Sequence, residues 1–265
     1  MGDKPRAFLV RCSNHILAVP VFFTFHVLRL LPENIQTIKG REAIYWQGVI
    51  IPGARLKTAD PIKRGSLINI YASGKDENRI IAIVSSTGGP NALFKVLRDL
   101  PSDFPSPILI VQHMSPGFIH GLAEWLNHDD HIRVRVAENK GALLQGEALL
   151  APDNAHLTVG ENHRIKLVDA PPVGGHRPSG NILLESIGEC YGRRALGIIL
   201  TGMGHDGAEG MAALKTAGGK TIAQDQNTSI IFGMPKSAIN LGAVDLVLPL
   251  SKIASAIVRF TKTGL

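Results

Sequence analysis

Cysteine and aromatic residues are scarce in this chain. Cys12 and Cys190 are the only thiols among 265 residues, and they fall in different parts of the sequence. Two distant thiols make neither a disulfide framework nor a zinc site, and they point to a reducing, cytoplasmic compartment. Aromatic residues make up 5% of the chain, and no basic cluster is interleaved with them, so no nucleic-acid surface is expected. No run of about eighteen apolar residues occurs, so no membrane-spanning helix is expected. The uncharged stretch His15 to Val27 is interrupted by Pro20 and His26 and follows no small-residue cleavage site, unlike a signal peptide. Nucleotide-binding glycine patterns are missing as well: there is no G-x-x-x-x-G-K-[ST], and no G-x-G-x-x-G after the first strand of the α/β region. Internal repeats and low-complexity segments are absent.

The residues that are present divide the chain in two. Residues 1–78 carry 11 Lys+Arg against 6 Asp+Glu, whereas residues 79–265 carry 17 against 16, so the basic excess belongs to the first segment. A solvated basic face accounts for it. That segment reads as short strands, with a hairpin of Phe8–Cys12 and His15–Val19 around Ser13-Asn14 and a β segment over Ala43–Pro52. The polar run Ser73–Arg79 has linker composition and marks the expected domain boundary. From Ile80 onward strands and helices alternate. Strands are expected at Ile80–Val84, Pro107–Gln112, Ala195–Leu200, Lys220–Ala223 and Val244–Leu248. Helices are expected at Pro116–Asn127, Ser179–Tyr191 (a capped helix), Ala208–Ala217 and Ser251–Thr261. This alternation predicts an α/β, doubly wound and mostly parallel sheet with helices on both faces, preceded by a small β-rich N-terminal segment.

Three strand ends carry chemically loaded loops. Ile80-Ile81-Ala82-Ile83-Val84 leads into Ser85-Ser86-Thr87-Gly88-Gly89-Pro90, where the glycines allow a sharp turn and Pro90 suits the first turn of a helix. Ser86 is then expected beside a helix N-terminus whose free N–H groups stabilise an oxyanion. The strand ending at Gln112 runs into His113-Met114-Ser115, and the one ending at Leu200 runs into Thr201-Gly202-Met203-Gly204-His205-Asp206-Gly207. In open parallel sheets such loops converge on one crevice, and Ser, His and Asp from separate loops suit a nucleophile, its base and an orienting acid. Plainer readings stand beside these. Ser86 is otherwise a cap, His113 a turn histidine satisfied by backbone, Asp206 the N-cap of the helix near Ala208, and the glycines at 202, 204 and 207 a phosphate cradle. The G-x-S-x-G elbow of the usual α/β-hydrolases is absent, since Val84 stands two positions before Ser86.

These stretches, with Pro116-Gly117-Phe118, Ala151-Pro152, Pro171-Pro172-Val173, His176-Arg177-Pro178-Ser179 and Phe232-Gly233-Met234-Pro235, resemble the catalytic domain of the chemotaxis protein-glutamate methylesterases (CheB). The resemblance runs over residues 79–265 and implies that Ser86 is the nucleophile, His113 the general base and Asp206 the residue that orients it. It further implies that the Met203 N–H serves an oxyanion hole, that Thr87, Gly88 and Gly89 line the site, and that Arg177 helps to hold the substrate helix. No metal and no organic cofactor is implied. Two residues depart from the family pattern: Val84 replaces a usual glycine, and His205 stands where asparagine is common.

The family's phosphorylatable receiver domain has no counterpart in residues 1–78. Instead Ala18-Val19-Pro20, Val27-Leu28-Arg29-Leu30 and Trp46–Leu56 resemble part of a CheW-like domain; the other reading is an unrelated basic β extension. The activity implied is hydrolysis of glutamyl methyl esters on methyl-accepting chemotaxis receptors, with methanol released, and deamidation of receptor glutamines at the same site. Residues 1–78 are expected to contact the kinase–adaptor array, so that control is by location. The rival expectation is a catalytically decayed scaffold, against which the retained Ser86, His113 and Asp206 argue.

Overall fold

The computed structural model describes residues 79–127, 132–160 and 163–264, together with the backbone of six short strands between residues 7 and 52. By contacts the chain divides into two compact units, Met1–Gly74 and Lys75–Leu265.

In the first unit β1 (Ala7–Cys12), β2 (His15–Pro20) and β3 (Leu28–Leu30) form one three-stranded antiparallel sheet. The strands expected at Phe8–Cys12 and His15–Val19 are thus paired antiparallel, with Cys12 opposite His15, while Ser13-Asn14 lies outside the described residues. A second antiparallel sheet holds β4 (Ile35–Ile38), β5 (Arg41–Trp46) and β6 (Val49–Pro52). The stretch expected as one β segment, Ala43–Pro52, therefore holds parts of two strands that pair with each other, and Gln47-Gly48 lies outside the described residues. Residues 53–78, with most of the linker and Ala54–Leu56, lie outside the described residues.

The second unit is built on β7 (Ile80–Ser85), whose six residues are all buried. Around it run β8 (Ile108–Gln112), β9 (Arg133–Val136), β10 (Glu147–Leu150), β13 (Ala195–Ile199), β14 (Lys220–Gln224) and β15 (Leu246–Leu248) in the order β15-β14-β13-β7-β8-β10-β9. Every neighbouring pair is parallel. The strand faces alternate as the pleat requires. Ile81, Ile83, Ile108 and Ile110 pack under α1 (Gly89–Arg98), α2 (Ile119–Leu126) and α6 (Leu250–Thr263), while Ile80, Ala82, Val84 and Leu109 pack under α3 (Gly180–Tyr191), α4 (Ala208–Thr216) and α5 (Met234–Asn240). Both faces are covered, so the strands read as continuous apolar runs. The antiparallel pair β11 (His156–Val159) and β12 (Ile165–Val168) adds Leu157, Val159 and Ile165 to the α3 side.

From β7 the chain builds outward to β8–β10 and then returns to lay β13–β15 on the other side. The strand order reverses at β7, and a doubly wound sheet opens its crevice beyond the carboxyl ends of the strands at such a point.

Val84, the departure from the family glycine, is absorbed by Gly180. A Cβ on Gly180 would come within 2.9 Å of Val84 Cγ2 and closer still to Cγ1, so the first turn of α3 lies directly on the valine. Alanine normally favours a helix over glycine, but here overpacking opposes it. Gly180→Ala is expected to cost about 1–3 kcal/mol, and a double-mutant cycle with Val84→Ala should show a cost well below the sum of the single changes. Chemical denaturation measures both, and strict additivity would contradict the contact.

Candidate active site

Three central strands deliver the three side chains: Ser86 follows β7, His113 follows β8 and Asp206 lies in the loop between β13 and α4. Their backbones are tied together where the strands end. His113 N–H donates to Ser85 O at 2.9 Å, and Ser86 N–H donates to Thr201 O at 3.1 Å. Thr201 Oγ1, in turn, donates to Thr87 O at 3.0 Å and accepts from Ile231 N–H at 2.9 Å.

The two serines of the motif have different roles. Ser85 is fully buried and donates to Gln112 Oε1 at 2.7 Å. Gln112 Nε2 reaches Ser86 O at 2.9 Å and His113 O at 2.7 Å, so one buried amide fixes the backbone of both candidate catalytic loops. Ser86 is half-exposed, and its hydroxyl makes no hydrogen bond with any described residue. Gly89, the first residue of α1, packs against Ser85 and Gln112, and its N–H donates to Ser86 O at 2.8 Å. Gly88 turns the chain with a φ of +82°, a value glycine adopts without a Cβ penalty. Thr87 is exposed beside them.

Asp206 is 3% exposed and does not cap the helix that follows it, where Gly207 holds the N-cap position. Its carboxylate sits at the N-terminus of α3 instead. Oδ1 accepts from Ser179 Oγ at 2.7 Å and Asn181 N–H at 3.2 Å, and Oδ2 accepts from Gly180 N–H at 2.6 Å. Ser179, expected as the cap of that helix, thus spends its hydroxyl on Asp206, which supplies the cap from a distant loop. Asn181 returns the favour by accepting the N–H groups of Gly207 and Gly210, both at 2.9 Å.

The remaining lobe of Oδ2 faces His113, whose Nε2 lies 2.8 Å away. That contact has the length of an ion pair and of a hydrogen bond, and the other ring nitrogen, Nδ1, bonds no described residue. His113 and Asp206 are therefore brought together. The Ser86–His113 hydrogen bond is not made, as is common where such bonds tighten only around substrate.

Burial alone would raise the Asp206 pKa. The bonds from His113, Ser179 and Gly180 outweigh it and hold the group at about 2, below its ordinary 3.8. A depressed carboxyl pKa stabilises the fold above the unfolded value and loses that stabilisation as pH falls through the folded one. We expect about 2–3 kcal/mol of stability to disappear between pH 4 and pH 2. In Asp206→Asn that part of the stability–pH curve should be flat, as denaturant titration at stepped pH will reveal.

Around the mouth, Met203 and Ile230 are 73% and 70% exposed. The N–H groups of Met203 and Thr87 donate to no described residue. The Arg177 guanidinium is held by Asp169 Oδ1 at 2.9 Å and Ala170 O at 3.2 Å. His205, the second departure, is exposed. Two residues had no role in the sequence reading. His176 stacks on His113, and Gln224 accepts Thr201 N–H at 2.8 Å while donating to Thr228 O at 2.7 Å. The signal for Gln112 and Gln224 was visible, since an amide closes each apolar strand. No signal in the sequence pairs the two histidines. Among the described residues, no group of histidine, cysteine, aspartate and glutamate side chains is arranged to hold a metal ion.

Known proteins share this fold and much of this sequence. The protein-glutamate methylesterase/protein-glutamine glutaminase of group 3 operon from Rhizobium meliloti (strain 1021) is 50% identical over 183 residues, 69% of this chain and 52% of its own. Protein-glutamate methylesterase FrzG of Myxococcus xanthus is 45% identical over 181 residues, 68% of this chain and 54% of its own. The chain thus spans about half the length of these curated relatives. The crystal structure of the Thermotoga maritima CheB methylesterase catalytic domain superposes with a TM-score of 0.67 at 38% identity, covering 69% of this chain and 98% of that one. Residues 81–257 match the family model for CheB methylesterase, and the chain belongs to that family.

Proposed function

We propose that residues 79–265 form a serine hydrolase that cleaves glutamyl γ-methyl esters on methyl-accepting chemotaxis receptors and deamidates receptor glutamines. The observation that carries this reading is the division of labour between the two serines. Ser85 is consumed by Gln112, whereas Ser86 keeps a free hydroxyl next to an imidazole with an orphaned nitrogen. With Nε2 directed at Asp206, His113 keeps Nδ1 for the Ser86 proton.

Ser86 Oγ attacks the γ-carbonyl as His113 takes its proton, and the negative charge of Asp206 stabilises the imidazolium that forms. The tetrahedral oxyanion is held by the unused N–H of Met203, and we assign the neighbouring free N–H of Thr87 as the second donor. Collapse expels methanol, or ammonia from a glutamine, protonated by His113. Water then repeats the sequence on the acyl-enzyme and releases glutamate. Gly88 turns the chain just after Ser86, Gly89 lets α1 start against Ser85 and Gln112, and exposed Met203 and Ile230 offer apolar contact to a receptor helix. Arg177, held by Asp169, lies on the loop that borders this surface. None of these steps calls on a metal or an organic cofactor.

The decayed-scaffold reading has no use for a buried carboxylate aimed at an imidazole. Such an enzyme acts in the cytoplasm, where the receptor helices lie. Residues 1–78, through their resemblance to a CheW-like module, bring it to the kinase–receptor array and raise its effective concentration there.

Ser86→Ala is expected to abolish methanol release from methylated receptor membranes while leaving the unfolding midpoint unchanged; wild-type turnover in that variant would refute the assignment. Removing residues 1–78 should slow release on assembled arrays but leave a soluble methylated receptor peptide unaffected. Faster peptide hydrolysis would instead make the segment an inhibitory cover.

A further inference from the structure

The loop between β12 and α3 is built to present one imidazole. Val173 and His176 exchange both of their backbone hydrogen bonds, each 3.0 Å, around Gly174-Gly175. The two glycines have φ of +57° and +83°, the left-handed values that a tight two-residue hairpin turn demands. Beyond His176 the chain is pinned again. Arg177 holds Asp169 and Ala170, and Ser179 donates its hydroxyl to Asp206. Ser179 N–H also donates to buried His156 at Nδ1, 3.2 Å away, so His156 carries its proton on Nε2, which faces Pro171 O at 3.1 Å. Both flanks of His176 are thus fixed without using its side chain. Its ring lies flat on that of His113, with centroids 4.1 Å apart and planes 11° from parallel.

His113 needs such a partner. Its contact to Asp206 is a single short one, at Nε2, and a contact at one ring nitrogen does not by itself set the plane of the ring. A ring face laid against it sets that plane. We propose that His176 is a positioning residue for the general base, its flat ring fixing the plane of His113 so that Nδ1 meets Ser86. The inference rests on the hydrolase reading above. Burial and the adjacent His113 ring hold the pKa of His176 below its ordinary 6.5, against an opposing pull from Asp206 and with a small further push from His205. At neutral pH the stacked ring is therefore uncharged, and its face accepts the imidazolium that forms as Ser86 is deprotonated.

The full chain and its His176→Phe, His176→Leu and His176→Ala variants test this. Two rates are followed: methanol release from methylated receptor membranes, and covalent labelling of Ser86 by a fluorophosphonate, which needs only the nucleophile and its base. Thermal unfolding reports on the fold. His176→Phe, which keeps a flat ring, should retain kcat within about threefold, whereas His176→Leu and His176→Ala should lose about 10- to 100-fold, the scale of a misplaced catalytic group. KM should stay within about twofold in all, since the stack touches no substrate. Labelling should fall in step with kcat. Leucine fills the space without being flat, so the Phe–Leu contrast separates ring stacking from cavity filling, including where alanine loosens the fold. Wild-type rates in the Leu and Ala variants would overturn the proposal, as would a Phe variant as impaired as Ala. A wild-type protein that neither releases methanol nor labels at Ser86 would instead overturn the hydrolase reading itself.

Discussion

The carboxylate of Asp206 at the N-terminus of α3 is the interaction on which the site depends. A negative charge with 3% exposure is costly to bury unless it is surrounded by donors, and here two backbone N–H groups, the Ser179 hydroxyl and the His113 imidazole surround it. The orphan N–H groups and the positive end of the helix dipole make that location the favourable one for an anion. Asn181 couples the same helix end to the start of α4. The carboxylate that faces the His113 imidazole therefore also caps α3, whose Asn181 reaches the start of α4.

The strand ends pose a second constraint. Where a parallel sheet stops, its backbone groups lose their ladder partners just where the loops must be held accurately. Buried glutamine amides meet this need because each offers both donor and acceptor. Gln112 joins the β7 and β8 ends, and Gln224 joins the β13 end to the loop that carries Thr228. Functional loops are thus fastened to the sheet by side chains whose polar atoms are fully engaged, with the hydroxyl of Ser86 left out of the pattern.

Legibility in the sequence followed locality. The buried apolar runs of β7, β8 and β13, and the polar loops at their ends, could be read directly, as could the pairing of β1 with β2. Family resemblance supplied the roles of Ser86, His113 and Asp206. The strands β9 to β12 escaped notice because they are four residues long, and β9 carries two arginines that break the apolar pattern. Likewise α5 has only seven residues and was visible only as the motif around Met234-Pro235. Ser179 looked like a cap because caps are usually local. The group that caps α3 comes from a loop after β13, and no periodicity announces a contact of that range. The His113–His176 stack is hidden for the same reason.

Winding outward from β7 and back again has a consequence for how the protein comes into being. Ser86 and His113 leave the ribosome early, while Asp206 and β13, which close the other side of the crevice, follow much later. Contacts of such long sequence separation form only after the ends of large loops have been brought together. A nascent or half-folded chain therefore carries Ser86 and His113 without Asp206, and the candidate site is assembled only when the sheet is complete.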